Sequence, residues 1–290
     1  MEQEPIQNRE AAESLNFSLS PDETDYSLNV FRKAVPGQIR TREMLRLLGP
    51  TRNNHCLDLS GADASTTYWL THSGGTWVSL AQSDPAAEAR RRFLGDKVSV
   101  FNGLPLAFPD KSFDVVVVGD LLTRIVDLDF FVTELHRVLK PSGRLVLDVA
   151  HVRPLSWLRP LQRGMPAYYS GQVFRPGYSE RELFMLLKDG FDVQQVRSYS
   201  RFFLTLTDLL VQRAINGARI RSDSASRIQR IYVLAYPFFL VAAKLDNLLF
   251  WTRGYRLAAL AKRHIWRPRN TPVIKKNRPV SKAVLSTVRR

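Results

Sequence analysis

The sequence is poor in cysteine: Cys56 is the only one in 290 residues. A single cysteine excludes an intramolecular disulfide framework and a metal centre built from cysteines alone. Acidic residues are missing from residues 251–290, which contain twelve lysines and arginines. The first ten residues have neither the apolar core of a secretory signal nor the arginine-rich character of a transit peptide. We therefore expect a cytoplasmic protein.

Long apolar runs are also missing. The longest uncharged apolar stretch, Ile231–Ala243, has 13 residues and contains Pro237, whereas a membrane-spanning helix needs about 20. Apolar residues make up 44% of the chain and charged residues 24%, the balance of a folded globular protein. These values exclude a wholly disordered chain, a collagen-like repeat and a protein with many membrane spans.

The net charge of +15 is unevenly distributed. Residues 1–150 contain 16 basic and 20 acidic side chains, and residues 151–250 contain 14 and 7. The basic character therefore belongs to the C-terminal half. It predicts a tail or face that meets an anionic surface, with a solvated tail that maintains solubility as the alternative.

Short strands alternate with helices along the first two thirds of the chain. This alternation predicts an α/β fold, a three-layer Rossmann-like sandwich with a mostly parallel sheet and helices on both faces. The predicted strands are His55–Ser60, Trp77–Ala81, Lys97–Phe101, Phe113–Val118, Arg144–Val149, Gly190–Val196 and Tyr255–Ala261. The predicted helices between them are Ala64–His72, Asp84–Phe93, Leu128–Leu139 and Ser179–Lys188.

Turn and cap residues place the boundaries. Pro36-Gly37 predicts a break between two early helices, and Lys140–Gly143 predicts the end of another. Asp84 before Pro85 is typical of an N-cap. Ser179 with Glu182 three residues later predicts a capping box.

These signals divide the chain into five parts. We expect a disordered N-terminal segment over 1–25 and an α/β domain over 26–200. A helical apolar and basic insertion over 201–252 precedes the last strand of the sheet at 253–262. A basic tail over 263–290 ends the chain.

The most specific motif is FPDKSFDVVVV, residues 108–118, followed by FVTELHRVLKPSGRLVL, residues 131–147. This pair resembles class I S-adenosylmethionine-dependent methyltransferases of the ubiquinone/menaquinone type, the methyltransferase domain 11 group. The resemblance covers roughly residues 38–200 and the last strand. The resemblance implies a methyltransferase-like α/β domain more strongly than it implies activity, because these residues build a loop, a helix and a strand rather than contact the methyl donor.

The resemblance also implies where the methyl donor S-adenosylmethionine would bind. The family's first strand ends in a glycine-rich motif, whose place here is taken by LDLSGADA, residues 57–64. Asp58 matches the family's acid, but three glycine positions hold Ser60, Ala62 and Ala64, and Gly61 is out of register. Each substitution adds a Cβ where the backbone approaches the cofactor.

Two further donor contacts depart from the family. The family places an acid at the end of the second strand to bind the ribose hydroxyls; Ala81 stands there, and Gln82 follows as a neutral substitute. Asn102 takes the place of an acid near the adenine. The predicted donor site is therefore Asp58, Ser60, Gly61, Ala62, Gln82 and Asn102. Two interpretations follow: a divergent methyltransferase, or a catalytically inactive relative that works as a binding or assembly module.

Residues after the fourth and fifth strands are candidates for catalysis, because parallel sheets bind ligands at the carboxyl ends of their strands. Asp120 follows the fourth strand and is a candidate for substrate or donor contact. His151 follows the fifth and is a candidate general base; a structural, hydrogen-bonded histidine is the alternative. Tyr168 and Tyr169 are candidates to cover a substrate. The other histidines lie at no metal-ligand spacing, so we predict no metal site.

The C-terminal half suggests the partners. The apolar stretch around Ile231–Ala243 is flanked by arginines, a pattern typical of a membrane-surface segment; a helix packed on the sheet or lining a lipid-like substrate pocket is the alternative. We expect a small or lipid-like acceptor and an anionic membrane surface that meets residues 219–290. Nothing matches a nucleic-acid-binding module, so we favour lipid headgroups over nucleic acid and expect a peripheral association with a membrane.

Overall fold

The computed structural model describes residues 26–60, 64–152, 158, 175–219 and 225–266. Its α-helices are α1 Tyr26–Phe31, α2 Val35–Leu48, α3 Ala64–His72, α4 Asp84–Leu94, α5 Leu128–Val138, α6 Glu180–Leu187, α7 Phe202–Arg219 and α8 Ala225–Leu248. Its strands are β1 His55–Leu59, β2 Thr76–Ala81, β3 Val98–Val100, β4 Phe113–Val118, β5 Leu139–Ala150, β6 Phe191–Tyr199 and β7 Arg256–Arg263. Short 3-10 turns cover Gly95–Lys97 and Asp120–Thr123.

The described strands form one seven-stranded sheet in the order β3-β2-β1-β4-β5-β7-β6. Strands β1 to β5 pair in parallel, and β7 pairs antiparallel with both β5 and β6. The predicted Rossmann-like sandwich with a mostly parallel sheet is confirmed. The predicted last strand is present and lies between β5 and β6.

Strand β4 is buried on both faces. Its four valines, Val115 to Val118, have no exposed surface. Val115 and Val117 pack with Met44 of α2 and Leu70 of α3 on one face. Val116 and Val118 pack with residues of α5 on the other face. A continuous apolar run is what a parallel strand covered by helices on both sides requires.

Helices α7 and α8 form a hairpin that packs against α2. Buried Leu204, Val211 and Ile215 of α7 meet Tyr232 and Phe239 of α8, and Val35 joins the same cluster. This hairpin occupies the stretch where the sequence predicted a helical insertion. Its second helix is continuous through Pro237.

Three helix or strand boundaries lie elsewhere than the turn and cap residues predicted. Pro36 lies in the first turn of α2, where its missing N–H costs nothing, so the chain breaks one step earlier, at residues 32–34. Ser83 rather than Asp84 is the N-cap of α4. The sequence at Lys140–Gly143 does not separate α5 from β5, because β5 begins at Leu139 and continues past a register shift opposite Phe113 and Val115.

The chain near residue 263 is folded. Arg263 is the last residue of β7 and donates to the carbonyl of Leu139 at 2.6 Å. Trp266 packs against the main core, with its ring 5.0 Å from that of His136. Gly190 is required beside it, because a Cβ there would overlap the indole. The boundary predicted for the basic tail therefore falls inside the packed structure.

We expect Trp266→Ala to lower the free energy of unfolding by about 2 to 3 kcal/mol, somewhat less than a fully buried aromatic. Trp251→Ala is the matched control, because Trp251 is 69% exposed and its loss should change stability by less than about 0.5 kcal/mol. Urea titrations of both variants measure the difference. Equal effects would mean that Trp266 is not a core residue.

Candidate functional site

The candidate site lies where the sheet changes direction. From β1 the chain proceeds outward through β2 and β3, then returns to β4 on the other side of β1. In open α/β sheets a ligand crevice forms at this switch point, outside the carboxyl ends of the strands. Residues 60, 82, 102, 119–120 and 151 all follow strands at this edge.

The ends of β1 and β4 approach each other closely. The amide of Gly119 donates to the carbonyl of Leu59 at 3.1 Å. A Cβ at position 119 would overlap the carbonyl oxygen of Ser60. Glycine is therefore required after β4, a constraint that the sequence motifs did not indicate.

Asp58 is fully buried beneath this edge. Its Oδ1 accepts from the amide of Ser60 at 2.8 Å. Its Oδ2 accepts from Thr67 Oγ1 at 2.6 Å and from Ser79 Oγ at 3.0 Å. The carboxylate joins β1, β2 and α3, so its interactions shape the edge from below.

Arg90 of α4 completes this buried polar cluster. Its Nη1 donates to Ser79 Oγ at 2.7 Å and to the carbonyl of Leu80 at 3.1 Å, and lies 3.7 Å from Asp58 Oδ2. Arg90 has no exposed surface. A buried guanidinium is expensive unless it is paired, and Asp58 supplies the compensating charge.

Several buried side-chain atoms around this edge have no hydrogen-bond partner among the described residues, Nε and Nη2 of Arg90 among them. The two that directly follow strands are Ser60 Oγ, after β1, and Gln82 Oε1, after β2. Both are buried, and an unmade hydrogen bond at a buried group costs about 1 to 3 kcal/mol. Because β1 and β2 are neighbouring strands, the two atoms follow adjacent strand ends. A polar ligand bound there would supply their missing hydrogen bonds.

The other predicted donor residues are placed differently. Asn102 follows β3 and is exposed. Gly61 and Ala62 lie outside the described residues. Ala81 is fully buried against Ala87 of α4 and Val98 of β3, so a carboxylate at position 81 would enter an apolar interface. Gln82 is therefore the residue that presents a polar group at the end of β2.

A second cluster of charged groups covers the ends of β4 and β5. Arg40 of α2 lies 3.0 Å from Asp120 and 2.6 Å from Asp148, measured between nitrogen and oxygen. Arg256 Nη2, at the start of β7, lies 2.9 Å from Asp120 and 2.5 Å from Asp148. The Tyr199 hydroxyl donates to Asp148. We call these five residues the ion-pair network.

Arg40 also connects this network to the donor edge. Its Nη2 donates to the carbonyl of Ser60 at 3.2 Å. One side chain from α2 thus contacts the ends of β1, β4 and β5 and lies across the switch point.

Opposite charges shift the titration of the network. Burial raises the pKa of Asp120, but the charges of Arg256 and Arg40 outweigh it and lower the pKa to about 2. Burial and the Asp148 charge raise the pKa of Tyr199 well above its usual value. Asp120 is therefore an ionised ion-pair partner at neutral pH, a poor proton acceptor, and its predicted catalytic role stays a prediction.

His151 lies beside the network and is almost fully buried. Its Nδ1 lies 2.8 Å from the carbonyl of Gly254, and its amide donates to the carbonyl of Tyr255. Because a carbonyl only accepts, Nδ1 has the proton in the neutral ring and Nε2 has the free lone pair. Tyr168 and Tyr169 lie outside the described residues.

Sequence reasoning missed Arg40, Asp148, Tyr199 and Arg256. One signal was available: Asp148 interrupts the apolar run of β5, RLVLDVA, and a charge in a buried strand needs a partner. The partners come from α2, β6 and β7, so no local motif groups them.

The comparison with known families explains this architecture. Residues 57–147 match a family model described as a methyltransferase domain. The matched stretch, from β1 through most of β5, is therefore similar to such a domain.

A demethylmenaquinone methyltransferase from Tropheryma whipplei is 31% identical over 117 residues, which are 39% of this chain and 48% of the relative. The chain thus spans about half the length of the curated relatives it matches. The solved [4+2]-cyclase SpnF is 16% identical, with a TM-score of 0.52, over 78% of this chain and 81% of that one. Geranyl diphosphate C-methyltransferase from Streptomyces coelicolor is 16% identical, with a TM-score of 0.51, over 79% and 76%. At these identities the two structures establish the fold.

We expect Asp120→Asn to lower the free energy of unfolding by about 2 kcal/mol at neutral pH. The carboxyl pKa is about 2 in the folded chain against an ordinary 3.8, so its stabilisation is complete above about pH 5 and is lost as the pH falls towards 2. The difference between wild type and variant should therefore shrink in acid. Urea titrations at several pH values measure it, with the exposed Asp96→Asn as control. A difference that stays constant down to pH 2 would contradict the ion pairing.

Proposed function

We propose that the chain is a divergent S-adenosylmethionine-dependent methyltransferase that acts on a small or lipid-like acceptor at a membrane surface. The observation that supports donor binding most directly is the pair of unpartnered buried atoms, Ser60 Oγ and Gln82 Oε1, on adjacent strand ends. The polar groups of the donor, its hydroxyls and its amino acid end, are what such atoms need. The residues present therefore fit this cofactor.

Within this proposal, Gln82 accepts a hydrogen bond from a ribose hydroxyl, and Ser60 lies at the methionine end. Bound S-adenosylmethionine supplies an electrophilic methyl group on its sulfonium. Asp58 and Arg90 act beneath the site by holding the ends of β1 and β2 in register. Asn102, Gly61 and Ala62 complete the predicted set.

His151 is the residue we propose to accept a proton from the methyl acceptor. Its Nδ1 is oriented by the Gly254 carbonyl, which leaves Nε2 as the basic atom, and an imidazole is a suitable base near neutral pH. Asp120 does not compete for the proton, because Arg40 and Arg256 pair with it and lower its pKa to about 2.

A second function has an observation in its favour. Arg40 lies across the switch point and occupies the Ser60 carbonyl and both aspartates. A crevice closed in this way fits a catalytically inactive methyltransferase-like protein that serves as a binding or assembly module. Donor binding distinguishes the two.

Calorimetric titration with S-adenosylhomocysteine, the demethylated product of the donor, tests the site. We expect a Kd below about 100 μM, more than about 5 kcal/mol of binding. Gln82→Ala should weaken binding about tenfold by removing the acceptor. Gln82→Glu should strengthen it, because a carboxylate makes charge-assisted hydrogen bonds. The exposed Gln195→Ala on β6 is the control. Absence of heat at any concentration would favour the inactive module.

Transfer itself is tested with demethylmenaquinone, the acceptor in the names of the curated relatives. We expect labelled methyl to appear in the quinone product and His151→Gln to lower the rate by about 10² to 10⁴, the range for a general base. Binding of S-adenosylhomocysteine should be unchanged in that variant. A variant that keeps the wild-type rate would remove His151 from the proposed chemistry.

A further inference from the structure

One face of α8 is apolar and exposed. Leu234, Phe238, Val241 and Leu248 recur at helical spacing on this face, with exposures of 72, 67, 58 and 64%. Val233 and Leu240 flank them. The surface continues beyond the helix in Phe250 and Trp251, which are 74 and 69% exposed. A contiguous apolar surface of this kind marks an interaction site rather than scattered surface residues.

The opposite face of α8 is fixed to the protein. Tyr232, Ala235 and Phe239 are buried against α7. Near its end, Asp246 accepts from the amides of Arg201 and Phe203 at 2.7 and 2.8 Å. Asp246 thereby caps the first turn of α7 and ties the two helices together.

By length and composition alone, Ser226–Leu248 could cross a membrane. Crossing would require α8 to leave its buried contacts with α7 and would place Asp246 in hydrocarbon, which is costly. A helix with one face on protein and one apolar face free instead lies in the plane of a bilayer.

The side chains around the apolar face of α8 are basic, which favours an anionic partner. Arg227, Arg230 and Lys244 on α8 are exposed, as is Arg253 after it. Among described residues 225–251 the only acid is Asp246, which is buried. A second copy of the chain would bring basic rims together and repel. Anionic lipid headgroups complement the rim, and acyl chains complement the apolar face.

We propose that the exposed face of α8, together with Phe250 and Trp251, docks in the plane of an anionic lipid bilayer. This docking surface reaches the candidate site, because Trp251 lies three residues before Gly254, whose carbonyl accepts from His151. Docking therefore brings the backbone that orients His151 close to the membrane surface. The docking proposal depends on the proposed function only for the role that docking would play. Vesicle binding itself is measured without methyl donor or acceptor.

Co-sedimentation of the full chain with vesicles tests the proposal. The probes are vesicles of phosphatidylcholine alone and of phosphatidylcholine with phosphatidylglycerol, at low and high salt. The double variant Leu234→Ser with Phe238→Ser removes apolar contacts, and Phe130→Ser on α5 is its control on the other face of the sheet. Arg227→Glu with Arg230→Glu reverses the rim charge, and Arg92→Glu with Lys97→Glu near β3 is its control.

We expect the full chain to bind vesicles containing phosphatidylglycerol and to bind phosphatidylcholine alone at least about tenfold more weakly. The apolar double variant should weaken binding at least about tenfold at both salt concentrations, and the charge reversal should weaken it mainly at low salt. Both controls should bind like wild type.

Three results would overturn the proposal. Wild-type binding by the apolar double variant would assign attachment to charge alone. Equal binding to both vesicle types would remove the role of the basic rim. A dimer of the wild type that the apolar double variant converts to a monomer, seen by light scattering, would identify a second copy as the occupant.

Circular dichroism of each variant establishes that it is folded. Loss of donor binding without loss of vesicle binding would refute the proposed function alone.

Discussion

The ion-pair network is the interaction on which the functional edge depends. Asp148 is a fully buried acid in the middle of the fold, and leaving it unpaired would cost several kcal/mol. Arg40 and Arg256 compensate for it and for Asp120 at the same time. In doing so they fasten α2 and β7 to the ends of β4 and β5. Tyr199 and Arg256 of the network lie close in sequence to the ends of the helical hairpin, because α7 begins at Phe202 and α8 ends at Leu248.

The network divides the carboxyl edge into two halves. Over β4 and β5 the charged groups form ion pairs with one another. Arg40 donates to the Ser60 carbonyl at the boundary between the two halves. Over β1 and β2, Ser60 Oγ and Gln82 Oε1 have no partner among the described residues. A paired half is stable without ligand, whereas an unpaired half gains by binding one. The proposed donor site lies in the unpaired half, and His151 stands at the outer end of the paired half.

Local sequence signals predicted local structure well. Helix α3 and strand β4 have the predicted bounds, and the Ser179–Glu182 capping box forms as expected, because each depends on a few neighbouring residues. Strand β5 begins earlier than expected because pairing with Phe113, not the Pro-Ser-Gly sequence, decides where it starts. The site was only partly predictable. Its strand-end positions follow from topology, but the partners of Asp148 come from residues about 50 to 110 positions away, and no sequence pattern connects them.

Hydrogen–deuterium exchange with and without S-adenosylhomocysteine tests most directly whether the unpaired half is the donor site. We expect the ligand to slow exchange in peptides that cover the ends of β1 and β2, around Ser60 and Gln82. Exchange in β6 and α7, beyond the paired half, should not change. Slowed exchange only around Asp148 and Arg256, or no change anywhere at saturating ligand, would show that the donor does not bind in the unpaired half.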